Sequence, residues 1–581
     1  MILSKLNEYA ETLMSLPPAM YGETKVAWLI SLSETGEYEG FSSLKTKQEK
    51  RGKPMIMPHI GRTAGIKPKL LADTGEYVLG ISRQGSKLER VSDCHRQFIQ
   101  LIKACAEATY ESTVKAVLHF LTSPEVEKAK ANLPKDFNPG DVVTFRVGDE
   151  DIIPADAKCP LDSIKTFWER YTSGGSAENN ANSGPTMTCL ITGEETPVEQ
   201  RLPMKVKGLV GGQASGTALV SANSPPFMSY GLKNSLTSPI SRDAAERFTN
   251  ALNSLILDER TRIYIGSTVY TFWTREDTPF NPFAYLSQPD PEDVESLLKS
   301  PFTAQKASSF DDAKANQFYA LALTANNARA VVRDWLETTI PNVRQNLQRW
   351  FQAQRIVDPY GASPKPLGIY ALAASVYRDA AKEMQPTTPT ALIRNALQGD
   401  RIPEDLLIKL IRRNRTERNI SYARAALLKL IFSSNPNRQE MMVNMEQLNP
   451  APNLQGQDLE AYACGRLLAT FESTQKAALG SVKASLTDRY YGAASSTPGV
   501  AFPPLIKRNI AHLSNLRKNN RGAYKALEEQ LLEIMTLLST FPKNLTLQQQ
   551  GLFGLGYYHQ CASDRAAAKA KFEAKANQSS E

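Results

Sequence analysis

The 581-residue chain has little of what catalytic centres are usually built from. Its six cysteines, Cys94, Cys105, Cys159, Cys189, Cys464 and Cys561, form no CxxC pair and match no zinc-module spacing. A chain of this length needs no disulfide staples, so buried free thiols in a reducing cytoplasm are expected. The five histidines, His59, His95, His119, His512 and His559, show no spacing to carboxylates that would mark a base or a metal site. The adjacent pair Cys94-His95 is better explained by a structural role. No GxxxxGK[ST], HExxH or EF-hand loop occurs. Gly551-Leu-Phe-Gly-Leu-Gly556 lacks the GxGxxG spacing, and Gly212-Gln-Ala-Ser-Gly216 misses GxSxG by one position. These gaps argue against hydrolysis, phosphoryl transfer and metal-dependent cleavage; no catalytic residue, metal ligand or cofactor is expected. No run of about 18 apolar residues exists to span a membrane. The N-terminal Met-Ile-Leu-Ser-Lys-Leu lacks the basic start and apolar core of a signal peptide. A soluble cytoplasmic protein is expected.

What the chain does have is cationic charge in particular places. The total is mild: 68 Lys and Arg against 60 Asp and Glu, a net +8. Between positions 45 and 69, however, eight basic residues (Lys45, Lys47, Lys50, Arg51, Lys53, Arg62, Lys67 and Lys69) face Glu49 alone. Between 409 and 429, Lys409, Arg412, Arg413, Arg415, Arg418, Arg424 and Lys429 face only Glu417. A solvated face is the usual fate of such runs. Two of them together suit the footprint of a phosphate backbone. The stretch from Lys205 to Asn223 is more telling. It holds Lys205, Lys207, four glycines (Gly208, Gly211, Gly212, Gly216), Gln213, Ser215, Ser221, Thr217 and Asn223, with no acid, histidine or cysteine. Glycines allow close approach of the backbone to another surface, and lysines, amides and hydroxyls suit a phosphate-bearing partner. Gln213 and Asn223 can donate to and accept from base edges. Phe227 and Tyr230 can stack or wedge against a base step, with core packing as the alternative.

Period and breakers predict an α+β protein: antiparallel strands and hairpins mixed with helices on the N-terminal side, and an all-α bundle at the C-terminal side. Four segments are expected: 1–150 with the basic loop, 151–340 with the glycine-rich loop, a helical region 341–440, and a bundle 441–581. Helix periodicity marks 2–13, 92–121, 343–357, 366–384, 392–397, 403–432 and most of 446–575, with breaks at Pro450, Pro498, Pro503-Pro504 and Pro542. Strand patterns mark 26–32 with a return at 38–41, then 77–81, 188–192 and 318–323, and a hairpin over 262–273 with a II′ turn at Gly266-Ser267. The basic segment is expected to be an exposed loop because of its glycines and prolines. The stretch 172–185 reads as a loop or disordered insert, and Ser241 as a helix cap.

Several motifs, in order, resemble the large subunit of the type I-C CRISPR surveillance complex, Cascade. They are Gly61-Arg-Thr-Ala-Gly-Ile-Lys-Pro-Lys69 with Asp73 and Tyr77-Val-Leu-Gly80; Cys189-Leu-Ile-Thr-Gly-Glu194; Lys205-Val-Lys-Gly208 with Ser215-Gly216; Ser229-Tyr-Gly231; Pro239-Ile240; Thr249-Asn-Ala-Leu-Asn253; Phe272-Trp273; and Phe318-Tyr319. The resemblance is strong to about residue 350 and looser beyond. It implies a non-enzymatic subunit in antiviral defence that reads a short flanking duplex motif, the PAM, while guide RNA reads sequence by pairing. The partners implied are CRISPR RNA, PAM-bearing target DNA, the backbone and small subunits, and a helicase-nuclease recruited to an opened R-loop. Under this reading Arg62, Thr63, Lys67 and Lys69 contact phosphates or the guide's 5′ end. Gly211, Gly212, Gln213, Ser215 and Asn223, supported by Lys205 and Lys207, read the PAM, with Gln213 foremost. Arg412, Arg413, Arg415 and Arg418 hold the displaced strand. Such systems often start a small subunit inside the large-subunit gene, and Met441, Met442 and Met445 are placed for it. The rival classes are a nuclease of unfamiliar design and a scaffold that binds only protein.

Overall fold

The apolar run Val26-Ala-Trp-Leu-Ile-Ser-Leu32 forms the second half of β1 (Tyr21–Leu32) in the computed structural model. The structure describes residues 2–13, 20–46, 49–60, 65–83, 85–152, 162–172, 185–202, 204–299, 316–442, 444–447 and 453–578. β1 pairs antiparallel with β2 (Tyr38–Ser43) along its second half and with β3 (Lys53–Pro58) along its first. β4 (Asp73–Thr74) pairs with β5 (Val142–Val147), which runs parallel to β1 and also pairs with β6 (Glu150–Asp151). A central strand covered on both faces reads as a continuous apolar run, and Val26, Ala27, Trp28, Leu29 and Ile30 are accordingly all buried. The helices Leu88–Thr109, Ser112–Thr122 and Asp162–Thr172 close this core with Phe98, Ile102, Phe120 and Trp168.

Two compact units result: Met1–Gly208, Gly212–Ser254 and Asn327–Arg329 form the first, and Leu209–Gly211, Leu255–Asn326 and Ala330–Glu581 the second. The first also holds a small hairpin, β7 (Thr186–Thr188) with β8 (Glu195–Pro197), and the helix Arg242–Leu257. Ser241 caps that helix as expected, its hydroxyl accepting from the Ala244 N–H. β9 (Arg262–Ile265), β10 (Thr268–Thr274), β11 (Gln317–Asn326) and β12 (Arg329–Thr339) follow one another across a four-stranded sheet that belongs, apart from Arg329, to the second unit. The Gly266-Ser267 turn has positive φ only at Gly266, as a II′ turn requires. One apolar core runs from Ile263 on β9 to Ala562 on the helix Leu547–Gln578. Strands on the N-terminal side and helices on the C-terminal side make this the α+β chain that periodicity predicts.

Several local expectations are corrected. The basic segment is not wholly a loop, since β3 lies within it and buries Met55 and Met57. The His59 N–H donates to the Met20 carbonyl. Odd positions of β3 therefore carry the bonds to β1, and Pro54 and Pro58 fall between them, where no N–H is needed. Tyr77-Val-Leu-Gly-Ile81 is not a strand; Gly75–Val78 is a helical turn, and so short an apolar run cannot distinguish the two. The helix expected over 92–121 is two, parted at Tyr110 with φ 59°. β7 stops at Thr188, and the chain turns over Cys189–Glu194. The patterns at 366–384 and 403–432 also divide, into Ile369–Ala374 and Ala380–Glu383, and into Glu404–Glu417 and Tyr422–Ser433. Pro503 and Pro504 sit inside the helix Pro498–Asn519 instead of breaking it. β12 has no strand signature in the sequence, because its exposed and buried positions do not alternate. Pro450, Cys159 and nearly all of the insert expected over 172–185 lie outside the described residues. Met442 and Met445 pack in the second core, and Met441 lies against it.

Candidate nucleic-acid interface

Val206 and Thr217 exchange both backbone hydrogen bonds, at 2.8 Å each, and so close the glycine-rich segment into a loop. The Thr217 hydroxyl adds a bond to the Val206 carbonyl. Asn253, on the helix Arg242–Leu257, grips the same base: its Oδ1 accepts from the Lys207 N–H at 2.8 Å and its Nδ2 donates to the Lys205 carbonyl at 3.1 Å. One amide thus holds the backbone on both sides of Val206. Gly216 has φ 94°, and a Cβ there would lie 2.8 Å from the Lys205 Cβ, so only glycine fits where the two arms cross. Gly208 and Gly211 also have positive φ. The result is a fixed base with Lys205, Lys207, Gln213 and Ser215 exposed beyond it. The Lys205 ammonium reaches the Ser215 hydroxyl at 3.4 Å.

Asn253→Ala removes both amide bonds at once. Each such bond contributes about 1 kcal/mol, so the Val206 and Thr217 amides should exchange with solvent roughly ten-fold or more faster, while the β1–β5 amides keep their protection. Unchanged exchange at Val206 and Thr217 would show that the loop holds its base without Asn253.

Arg329, at the start of β12, is a site residue that sequence reading missed. Its guanidinium donates to the Asn223 Oδ1 and lies over the Phe227 ring, 4.5 Å from the centroid. Ala218 bridges to Arg329, and its N–H donates to the Ala328 carbonyl at 2.7 Å. Asn223 is therefore an anchored residue whose Oδ1 is already engaged. Phe227 and Tyr230 are not core residues: Phe227 is 49% exposed and Tyr230 99%. No sequence signal links Arg329 to Asn223, which lies 106 positions away.

The other predicted contacts lie on other elements. Arg62 and Thr63 lie outside the described residues. Lys67 and Lys69 are half-buried; burial pushes the Glu199 carboxyl up against the weaker opposing pull of Arg242 and Lys67, and the Lys69 N–H donates to Asp73. In the second unit, Arg412 and Arg415 are exposed on the helix Glu404–Glu417, and Arg418 ends it with φ 56°. Arg413 is paired with Glu417. The second basic cluster is not one solvated face: Arg424 is 4% and Lys429 3% exposed. Lys429 donates inward to the Gln352 and Arg355 carbonyls, and burial pushes its pKa down.

Cys189 occupies a different niche in the first unit. Burial alone would raise its thiol, but the N–H groups of Ser241, Thr192 and Ile191, with the Thr192 hydroxyl, outweigh it and bring the pKa down to about 7. The sulfur thereby fixes the turn after β7 to the start of the helix Arg242–Leu257. Among the described residues, no three His, Cys, Asp or Glu side chains converge as a metal site requires, and no helix is long and apolar enough to cross a membrane.

No curated protein matches the chain. A family model described as CRISPR-associated protein (Cas_Csd1) matches residues 5–563, a span that takes in the glycine-rich loop, its Asn253 clamp, Arg329 and most of the helical region. The chain belongs to this CRISPR-associated family, Cas_Csd1, the type I-C large subunit.

Proposed function

We propose that this Cascade large subunit reads the PAM duplex with the clamped loop between Val206 and Thr217, and that it does so without cutting nucleic acid. The observation that carries the reading is the loop's construction. Its base is held by Asn253 and its crossing admits only Gly216, while Lys205, Lys207, Gln213 and Ser215 are left exposed. An amide and two ammonium groups presented from a fixed base are what base-edge readout with phosphate anchoring needs. Sequence beyond the PAM is then read by guide RNA pairing. We assign Lys67 and Lys69, with Arg62 and Thr63, to phosphates or the guide's 5′ end. Arg412, Arg415 and Arg418 are the cations we assign to the displaced strand, and recruitment of a separate helicase-nuclease completes the role.

The test is binding of PAM-bearing and PAM-altered duplexes by the assembled complex, at several salt concentrations. Lys205→Ala with Lys207→Ala should weaken binding to all duplexes and flatten the salt slope by about two units. Gln213→Ala should reduce discrimination at one PAM position by roughly 1–3 kcal/mol, with little change in slope. Unchanged slope and unchanged discrimination in the triple variant would defeat the reading. Cleavage of DNA or RNA by the purified chain with magnesium or manganese would defeat the non-catalytic part.

A further inference from the structure

We propose that Tyr230 and the Arg329-backed Phe227 form a stacking platform that receives an unpaired nucleobase beside the duplex. The inference rests on the reading of the neighbouring loop as a duplex contact, and it adds a base-stacking contact to the cationic ones already assigned to the displaced strand. The Ser229–Leu232 turn is closed by the Leu232 N–H donating to the Ser229 carbonyl at 2.9 Å. Its two central residues, Tyr230 and Gly231, have φ of 52° and 72°. Positive φ at both positions suits Asn, Asp or Gly. A tyrosine there is held in an unfavourable backbone region, and strain of this kind collects at functional sites. The ring gains no packing in return, being 99% exposed.

Beside it, Pro225–Phe227 forms a single 3-10 turn with Phe227 and Met228 partly exposed. The Arg329 guanidinium covers the Phe227 ring and is itself steered by Asn223. Charge selects the occupant. No Asp or Glu occurs between Glu199 and Asp243, whereas Arg201, Lys205, Lys207, Lys233 and Arg242 do. Exposed aromatic rings within an acid-free, cationic stretch match a phosphate-linked base, which offers a π-face and a negative backbone together. An apolar protein segment would have no use for the cations.

The experiment uses the assembled complex and two DNAs of one sequence: a fully paired PAM-bearing duplex, and a fork whose PAM-adjacent arm is unpaired thymidines. Tyr230→Leu should weaken fork binding roughly ten-fold and leave the paired duplex within about two-fold. Tyr230→Phe should bind both like the parent, because the ring and not the hydroxyl is used. Arg329→Gln should also weaken the fork selectively, since Phe227 loses its cation. Equal behaviour of Tyr230→Leu and parent on the fork overturns the platform, as does an equal loss on both DNAs. Fork selectivity lost in Tyr230→Leu while the Lys205, Lys207 and Gln213 variants keep PAM discrimination would sustain the platform and sink the loop reading alone.

Discussion

Gly465→Ala and Gly556→Ala will each destabilise the second unit more than any other single-methyl addition in its helices. The two glycines face each other's helices, Gly456–Leu479 and Leu547–Gln578, in a reciprocal contact. A Cβ on Gly465 would stand 1.9 Å from the Phe553 carbonyl oxygen, and one on Gly556 would stand 2.0 Å from that of Tyr462. These obstacles are backbone atoms, so no rotamer change can relieve them; the helices must separate. Separation would loosen Leu467, Leu468, Leu552 and Leu555, all buried in the core. It would also strain the bonds from the Tyr557 and Thr487 hydroxyls to Glu472 and from Arg466 to Gln560. Overpacking costs about 1–3 kcal/mol where side chains can adjust, and here it should reach or exceed the top of that range. Gly492, on the helix Leu486–Ala494, is the internal control, because a Cβ there meets nothing within 4 Å. Gly492→Ala should be neutral or stabilising by up to about 1 kcal/mol. Thermal unfolding decides the matter: a seam variant that melts like Gly492→Ala would show that the helices are not in backbone contact.

Acid will loosen the same unit through His559, by about 3 kcal/mol between neutral pH and pH 4. The ring is almost wholly buried, and burial, with Lys429 and Arg466 nearby, lowers its pKa from 6.5 to about 4. Its Nε2 lies 2.9 Å from the Met445 carbonyl, which can only accept, so the neutral ring carries its proton there. Nδ1 then accepts from the Tyr462 hydroxyl at 3.0 Å. A histidine whose folded pKa is depressed contributes stability that is fully present above the unfolded pKa near 6.5. That stability is lost as pH falls toward 4, because the unfolded chain binds the proton first. Two and a half units at about 1.4 kcal/mol each give the stated size. Carboxylates also titrate in this window, so the measured quantity is the difference between parent and His559→Gln. Amide exchange in the helix Leu547–Gln578 should accelerate on going from pH 7 to 4.5 more in the parent than in the variant, after correction for intrinsic rates. Parallel pH dependence would show that His559 is not the group responsible. The contact also matters for Met445, whose side chain is buried and whose carbonyl is bonded here.

How much of this was legible in residue order differs from feature to feature. Local periodicity found β1, the Gly266-Ser267 hairpin and the Ser241 cap, because each depends on neighbours a few positions apart. It merged Leu88–Thr109 with Ser112–Thr122, and Glu404–Glu417 with Tyr422–Ser433. The breaks fall at Tyr110 and Arg418, left-handed residues that carry no glycine or proline signal. Charge counting found the run from Lys409 to Lys429 but not that Arg424 and Lys429 turn inward, since burial is set by what packs opposite. Gly551-Leu-Phe-Gly-Leu-Gly556 lacks nucleotide-loop spacing and lies inside the helix Leu547–Gln578. Its use as a helix seam needed the partner helix, whose Gly465 stands 91 positions before Gly556.

From residue order alone came the α+β arrangement, the family and the polar glycine-rich stretch from Lys205 to Asn223, because propensity, ordered motifs and composition are properties of short segments. Folding in three dimensions settled the rest. It set the Asn253 amide on both sides of Val206, brought Arg329 to Asn223 and Phe227, left Tyr230 in solvent, and kept His559 neutral between Tyr462 and Met445. Each of these joins residues far apart in the chain or depends on desolvation by distant elements, and neither is written in the period or charge of any one segment.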